Sequence, residues 1–471
     1  MSIISAILAS RSGLLANSQR AQLVSTNIAN AQDENYSHRT LNVTEAIGGG
    51  VQVLGISRAM DNTMDALYRT ELSYAAKQNA LSSSLAVYTA QLGTLESETS
   101  IPNLLSNFQN DLGLLSNDPG DASLQQEVFL SANSLAKALN DANSALSTLE
   151  TTALNGIDAD LETANAAMKE LARINADIGR AEPGTETYAA LEDRRGAQLD
   201  TLSSVVEITV AYDSEGRASV HAAGGQTLVV AGHVNELSFD RATGTLYSGT
   251  EDITPGESGR RGADQGSLAG NIILFNEIVP QQQLELDEVA RSLIAGFEGA
   301  DTSLAVGQAG LFTDAGSALS VTPAEGLAGR IKVNDAVNPH KGGDLTLIRD
   351  GLGAVTTGAA SDNTQILAFL DFFDTQVSYD TAAGQGATAT IMDFTTGIFS
   401  AQQARRVDAQ SQLTSLTTSS ETYREARLNA RGVNIDTELQ NLTLIEQSYN
   451  ANSQALRVAS EMIDTLLSLT S

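Results

Sequence analysis

A chain of 471 residues has room for several domains, and its make-up, 42% hydrophobic but only 4% aromatic with no tryptophan, suits long helices better than compact aromatic-centred pockets. With 57 acidic against 27 basic residues the formal charge is −30, which excludes nucleic-acid phosphate and an anionic membrane surface as partners. The lack of cysteine excludes disulfides and thiolate metal sites, and no run reaches the ~18 apolar residues of a membrane-spanning helix.

The first thirty or so residues read as a helix with a narrow apolar seam. Ile3, Ile7, Ser10, Leu14, Asn17, Ala21, Val24 and Ile28 recur at alternating steps of four and three, the a/d spacing of a coiled coil. The opening lacks a basic leader and sets Arg11 where the apolar core of a signal segment would continue, so a cleaved signal peptide is not expected. Asn27 to Thr40 is rich in Asn and Asp and ends the helix. Leu41 to Ile56, broken at Gly48-Gly49-Gly50, reads as a short extended hairpin.

Met60 to Leu95 keeps the heptad again through Met64, Leu67, Tyr74, Leu81, Leu85, Tyr88 and Leu92, and Pro102 closes that segment. Between Ser123 and Gly179 the heptad runs in two registers, with a bend expected near Asn155-Gly156. After a turn at Glu182-Pro183-Gly184, Tyr188 to Ser204 is a further helix. At Val205 the period changes to alternation: Val206, Ile208, Val210 and Tyr212, then Ala218, Val220 and Ala222, with more short strands to Tyr247, make a small antiparallel sheet.

Asn271 to Phe297 is helical with a kink or restart at Pro280. Gly307 to Gly358 is rich in Gly, Asp and Asn, with strand candidates at Arg330 to Val333 and Leu345 to Ile348. Helices resume at Asn363 to Val377 and from Ile398 to the end, interrupted at Gly432. The last of them carries a second seam: Leu442, Ile445, Tyr449, Asn452, Leu456, Ala459, Ile463 and Leu466. Neither terminal stripe has a local partner, and their charges are opposite: Arg11 and Arg20 stand at one end, and Asp436, Glu438, Glu446, Glu461 and Asp464 at the other. The expected fold is therefore mainly α with a minor β part: a long helical bundle or coiled coil formed by both termini, with a small antiparallel β-sheet subdomain inserted in the middle.

Catalytic and metal chemistry find no spacing to rest on. His38, His221, His233 and His340 are isolated, Gly48–Gly50 is not followed by Lys-Ser or Lys-Thr, and Asp213-Ser214-Glu215-Gly216 lacks the remaining ligands of a calcium loop. No catalytic residue, cofactor or metal is expected.

The strip Asn27, Ile28, Ala29, Asn30 through Asn35, Tyr36, Ser37 and Arg39 resembles the signature that ends the N-terminal helix of the flagellar rod, hook and hook-associated proteins. It departs from that pattern at Asp33-Glu34 and at Asn35, where the family has Gly; Asn is the next most tolerant of positive φ, so the turn is expected to survive. Arg431-Gly432-Val433-Asn434-Ile435-Asp436 through Glu446-Gln447-Ser448-Tyr449 to Leu467, Leu191-Glu192-Asp193-Arg194-Arg195, and Gly266-Ser267-Leu268-Ala269-Gly270 through Pro280 to Ala290 are similar to strips of the hook-associated members.

That resemblance implies a structural adaptor joining flagellar hook to filament, outside the cell, exported unfolded by the flagellar type III apparatus. The implied partners are the hook protein, the second hook-filament junction protein, copies of itself and an export chaperone, with neither nucleic acid nor membrane among them. It also divides the chain: residues 1–45 as an axial helix and signature strip paired with 432–471, 46–204 as a helical bundle, 205–265 as the β subdomain, 266–300 as a helix returning to the bundle, 301–395 as a minor variable outer insertion, 396–431 as a bundle helix and 432–471 as the C-terminal axial helix. The expected assembly interface is Ile3, Ile7, Leu14, Ala21, Val24, Ile28, Leu442, Ile445, Tyr449, Leu456, Ala459, Ile463 and Leu466. Competing readings are another axial member, the hook protein or second junction protein, and a secreted enzyme borne on a flagellar-type scaffold with its catalytic insert near Asp335 and His340.

Overall fold

The computed structural model describes residues 3–47, 49–93, 97–256, 262–320 and 325–470. Leu95 of the expected heptad and Gly48 of the expected hairpin turn lie outside them. In chain order the elements are α1 (Ile3–Ala29), β1 (Arg39–Glu45), β2 (Val51–Arg58), α2 (Asn62–Leu92), α3 (Ile101–Asn117), α4 (Ala122–Ile178), α5 (Glu186–Val205), β3 (Ile208–Tyr212), β4 (Ala218–Ala222), β5 (Thr227–Val230), β6 (His233–Val234), β7 (Leu237–Asp240), β8 (Thr245–Ser248), β9 (Glu251–Asp252) and α6 (Ser267–Ile273). A π-helical turn, Leu274–Ile278, leads into α7 (Val279–Ala300), followed by β10 (Phe312–Asp314), β11 (Ile331–Val333), α8 (Leu347–Asp350), α9 (Thr364–Asp374), β12 (Val377–Ser378), β13 (Thr388–Ala389), α10 (Ile391–Arg431) and α11 (Ile435–Thr470). The chain is mainly helical with small antiparallel sheets, as the periodicity indicates.

Two compact units result. The first takes Met1–Lys77, Ala159–Ala269 and Thr414–Ser471; the second takes Gln78–Asp158 and Gly270–Leu413. The expected 46–204 bundle is thus shared between both units, because α2 and α4 each supply residues to the two cores.

In the first unit, β1 and β2 form the antiparallel hairpin, with a bulge between Asn42 and Val43 and Gly49 and Gly50 at positive φ in the turn. The expected single β sheet is two sheets, β3-β4-β5-β6 and β7-β8-β9. Val210 pairs with Val220, so the buried side of β4 (Ala218, Val220, Ala222) is set by simple alternation. The four-stranded sheet is tied to α4 by Asn175, whose amide donates to the Ala218 and Ala231 carbonyls (2.8 and 3.1 Å) and accepts from the Ala218 N–H (2.8 Å).

The second unit has the larger apolar core. Leu105, Phe108, Leu112 and Leu115 of α3 meet Leu135, Leu139 and Leu146 of α4 and Leu286, Leu293 and Phe297 of α7, all buried. Pro102 does not end a segment here but starts α3, where the missing N–H costs nothing. Pro280 lies in the first turn of α7 directly after the π-helical turn Leu274–Ile278, so the helix restarts there without a break in the chain's helical course. α4 runs unbroken past Asn155-Gly156, and Gly156 permits a close approach: a Cβ there would lie 2.6 Å from the Asn271 amide.

The stretch 301–395 is packed rather than loose. Leu311, Phe312, Leu327, Ile331, Val337, Ile348, Phe369 and Phe373 all join the same core, since these scattered apolar side chains gain more from burial than Gly-rich loops lose in entropy. Leu345 to Ile348, read as a strand, leads into the single helical turn α8. Phe297 is the hub, with ring centroids 4.9 Å from Phe369, 5.2 Å from Phe312 and 5.5 Å from Phe108. Truncating a ring so enclosed costs about 3–5 kcal/mol. Phe297→Ala is therefore expected to lower the urea midpoint of the second unit's unfolding strongly, and a midpoint within error of the parent contradicts the core as described.

Candidate assembly interface

The two terminal helices pair antiparallel in the first unit. Asn27 faces Glu438, Asn17 donates to the Ser448 hydroxyl at 2.9 Å, and Gly13 lies against Asn452, whose amide would stand 2.9 Å from a Cβ at that position. Asn17 and Asn452, polar members of the two stripes, lie on the contact face. Polar residues inside such a seam fix register at some cost in apolar contact.

The stripe residues are placed unequally. Val24 and Ala459 are buried; Ile3, Ile7, Leu14, Ala21, Ile28, Leu442, Ile445, Leu456 and Ile463 are half-buried; Tyr449 and Leu466 are exposed at 47% and 52%. The buried face of α1 runs through Ser10, Gly13, Ala16, Asn17, Leu23, Val24 and Asn27. At Gly13 the missing side chain leaves room for Asn452. Tyr449 leaves the seam because its neighbour Ser448 takes the position facing Asn17.

At the other end of α1 the signature strip closes onto the first turn of α11. Asn27, 1% exposed, is the hub: its amide donates to the Arg39 carbonyl and to Glu438 Oε2 (both 3.0 Å), and its oxygen accepts from the Tyr36 hydroxyl at 2.7 Å. Glu438 Oε1 is also 3.1 Å from His38 Nε2 and accepts from Asn441 at 3.1 Å. The His38 N–H donates to the Arg431 carbonyl just before α11 begins. Burial pushes the Tyr36 phenol up to about 12, so it stays a hydrogen-bond donor at any physiological pH.

Asn30, Ile28 and Ala29 complete the last turn of α1, with Asn30 donating to the Thr26 carbonyl at 2.8 Å. Ser37 is fully buried. Asn35 does not take positive φ; Asp33 holds the turn instead, accepting from the Asn35 N–H through its side chain and from the Tyr36 N–H through its carbonyl. The Asp33-Glu34 departure from the resembled pattern therefore supplies the turn by a different device. An open groove of about 430 Å³ remains between Arg20, Leu23 and Val24 of α1, Thr40 and Leu41 of β1 and Asn441, Leu444 and Ile445 of α11.

Two buried ionic clusters hold this arrangement. Asp193 on α5 accepts from Arg39 (2.7 Å) and Arg58 (2.6 Å), clamping both strands of the β1–β2 hairpin, while the Arg39 guanidinium stacks 4.5 Å over the Tyr36 ring. Asp65 and Asp200 share Arg427, and Asp200 also takes Arg69 at 2.7 Å. Burial, followed by the nearby Arg427 charge, pulls the Arg431 guanidinium below its ordinary value. Residue spacing did not single out Glu438, Asp193, Asp65, Asp200 or Gly13. Their partners lie far away along the chain, and no periodicity marks them.

Among the described residues no group of three or more His, Asp or Glu could hold a metal ion, and no helix is long and apolar enough to cross a membrane. His340 and Asp335, the competing enzyme reading's pair, stand at the surface, where Asp335 is bonded to Lys341.

Comparison with known proteins finds the following similarities. The family model for the flagellar hook-associated protein FlgK helical domain matches residues 91–303, and that for the C-terminal part of the flagellar basal body rod FlgEFG proteins matches 424–469. Flagellar hook-associated protein 1 of Bacillus subtilis (strain 168) is 23% identical over 511 aligned positions, covering 96% of each chain. The solved flagellar hook junction protein FlgK from Burkholderia pseudomallei superposes with a TM-score of 0.43 at 19% identity, over 53% of this chain and 46% of that one.

Replacing Asp193 by Ala strands two buried guanidinium groups, at a cost of about 3–5 kcal/mol. Asp193→Ala is expected to lower the thermal midpoint of the first unit and leave that of the second in place, as differential scanning calorimetry resolves. Glu438→Ala removes a charged acceptor from Asn27, worth about 1.5–3 kcal/mol. Amide exchange in α11 is then expected to quicken by roughly 10-fold or more while β3–β5 stay protected; unchanged exchange would remove Glu438 from the role described.

Proposed function

Because this chain belongs to the family of flagellar hook-associated protein 1, we propose that its paired terminal helices are the surface by which it assembles into the flagellar axis. It is a structural protein of the bacterial flagellum, at the junction of hook and filament. The supporting observation is the hairpin's second apolar face. Ile4, Leu8 and Leu15 on α1 and Leu444, Val458 and Met462 on α11 stand exposed at 50–66%.

Each such side chain contributes roughly 1.5–3 kcal/mol when a neighbour buries it. The neighbours are copies of the same chain, the hook protein on one side and the second junction protein on the other. The basic α1 and acidic α11 faces favour contact between unlike helices of adjacent copies. Delivery is by the flagellar export apparatus, with a chaperone covering the apolar terminal helices until they assemble, and the role is non-enzymatic.

Removing residues 442–471 is expected to leave the second unit folded, as its own calorimetric transition reports, while hooks in cells carrying the shortened chain remain uncapped by filament. Efficient incorporation of the shortened chain at the hook tip would overturn the proposal. Val458→Asp with Met462→Asp, which spares the internal seam, is expected to block incorporation without loosening α11 in the soluble protein.

A further inference from the structure

The second unit contains a buried polar seam that the assembly role does not use. Glu285 on α7, fully buried, accepts from Gln402 of α10 at 2.9 Å and lies 3.3 and 3.4 Å from donors on Gln281 and Arg405. One turn earlier on α7, Gln282 is also fully buried, and neither its amide oxygen nor its amide nitrogen has a partner within the protein. The same holds for the Tyr88 hydroxyl on α2, the amide oxygen of Gln402 and Nη1 of Arg405. Tyr88 and Gln402 are each 1% exposed, whereas Arg405 is 31% exposed and carries the seam outward.

The unmet groups are of both kinds. Gln282 Oε1 and Gln402 Oε1 need donors, Gln282 Nε2 and Arg405 Nη1 need acceptors, and the Tyr88 hydroxyl can be either. A cation would be opposed by the two nitrogen donors, and an anion by the Glu285 carboxylate. Each buried group left dry shifts the folding equilibrium against the native state by roughly 5- to 150-fold, so together they would remove most of the stability of an ordinary domain. Burial raises the Glu285 carboxyl above its usual range, and the Glu285 charge also acts on the Tyr88 phenol; Arg405 is the charged group facing it from α10.

We propose that Tyr88, Gln282, Glu285, Gln402 and Arg405 enclose an internal hydration site, in which bound water joins α2, α7 and α10 where the rest of the core uses apolar contact. Water is the ligand whose two donors and two acceptors match the set, and Arg405 is its way in.

The test uses the full chain and two near-isosteric changes, Tyr88→Phe and Gln282→Leu. With water in the seam each change strips hydrogen bonds from a shared solvent molecule. Each is then expected to reduce the unfolding equilibrium constant of the second unit about 5-fold or more, and the double variant to lose clearly less than the product of the two. A crystal structure of the full chain should show ordered density within hydrogen-bond reach of Gln282 and Tyr88. If the seam is dry, Gln282→Leu relieves two desolvated atoms and raises stability, with effects that simply multiply. Either that result or empty density at high resolution overturns the proposal.

Discussion

The Glu438 carboxylate keeps the two ends of the chain in register. It is almost wholly buried, and it gathers Asn27 from the end of α1, His38 from the entry to β1 and Asn441 from its own helix. An ion so placed is tolerated only where its lone pairs are matched, so its burial forces the strip from Asn27 to Arg39 into one conformation. From that closure follow the antiparallel sense of α1 and α11, the face each turns inward, and the face each leaves outside.

Much of this was legible in the order of residues. The four-three spacing located both terminal helices, and the switch to alternation at Val206 located the sheets, because both signals depend on which side of a local element is wet. The stripes also pointed to pairing between the ends. The buried face of α1, however, includes Ser10, Gly13 and Asn17, which an apolar count ranks low. An apolar stripe says that a helix has a partner; the small residues beside it say how close that partner comes.

The misreadings share a physical origin. As a stop signal Pro102 is ambiguous, since a proline is as much at home in the first turn of a helix as after its last, and nothing local separates the two cases. Gly156 lies inside α4, where a helix accepts glycine because the Asn271 side chain needs the room. Residues 301–395 looked loose because their apolar residues follow no period; they are anchored one at a time, against helices much earlier in the chain. Asp193 belongs to a family-like strip, but its grip on Arg39 and Arg58 spans far too many residues for any sequence window.

The latch joins positions 411 residues apart. A contact of such range can close only when almost the whole polypeptide is free to move, whatever helix α1 has already formed by itself. The beginning of the molecule is therefore left waiting for the finish, and an interrupted chain has no means of closing. Asn27 can meet Arg39 and Tyr36 within its own strip, but its bond to Glu438 waits for the finish.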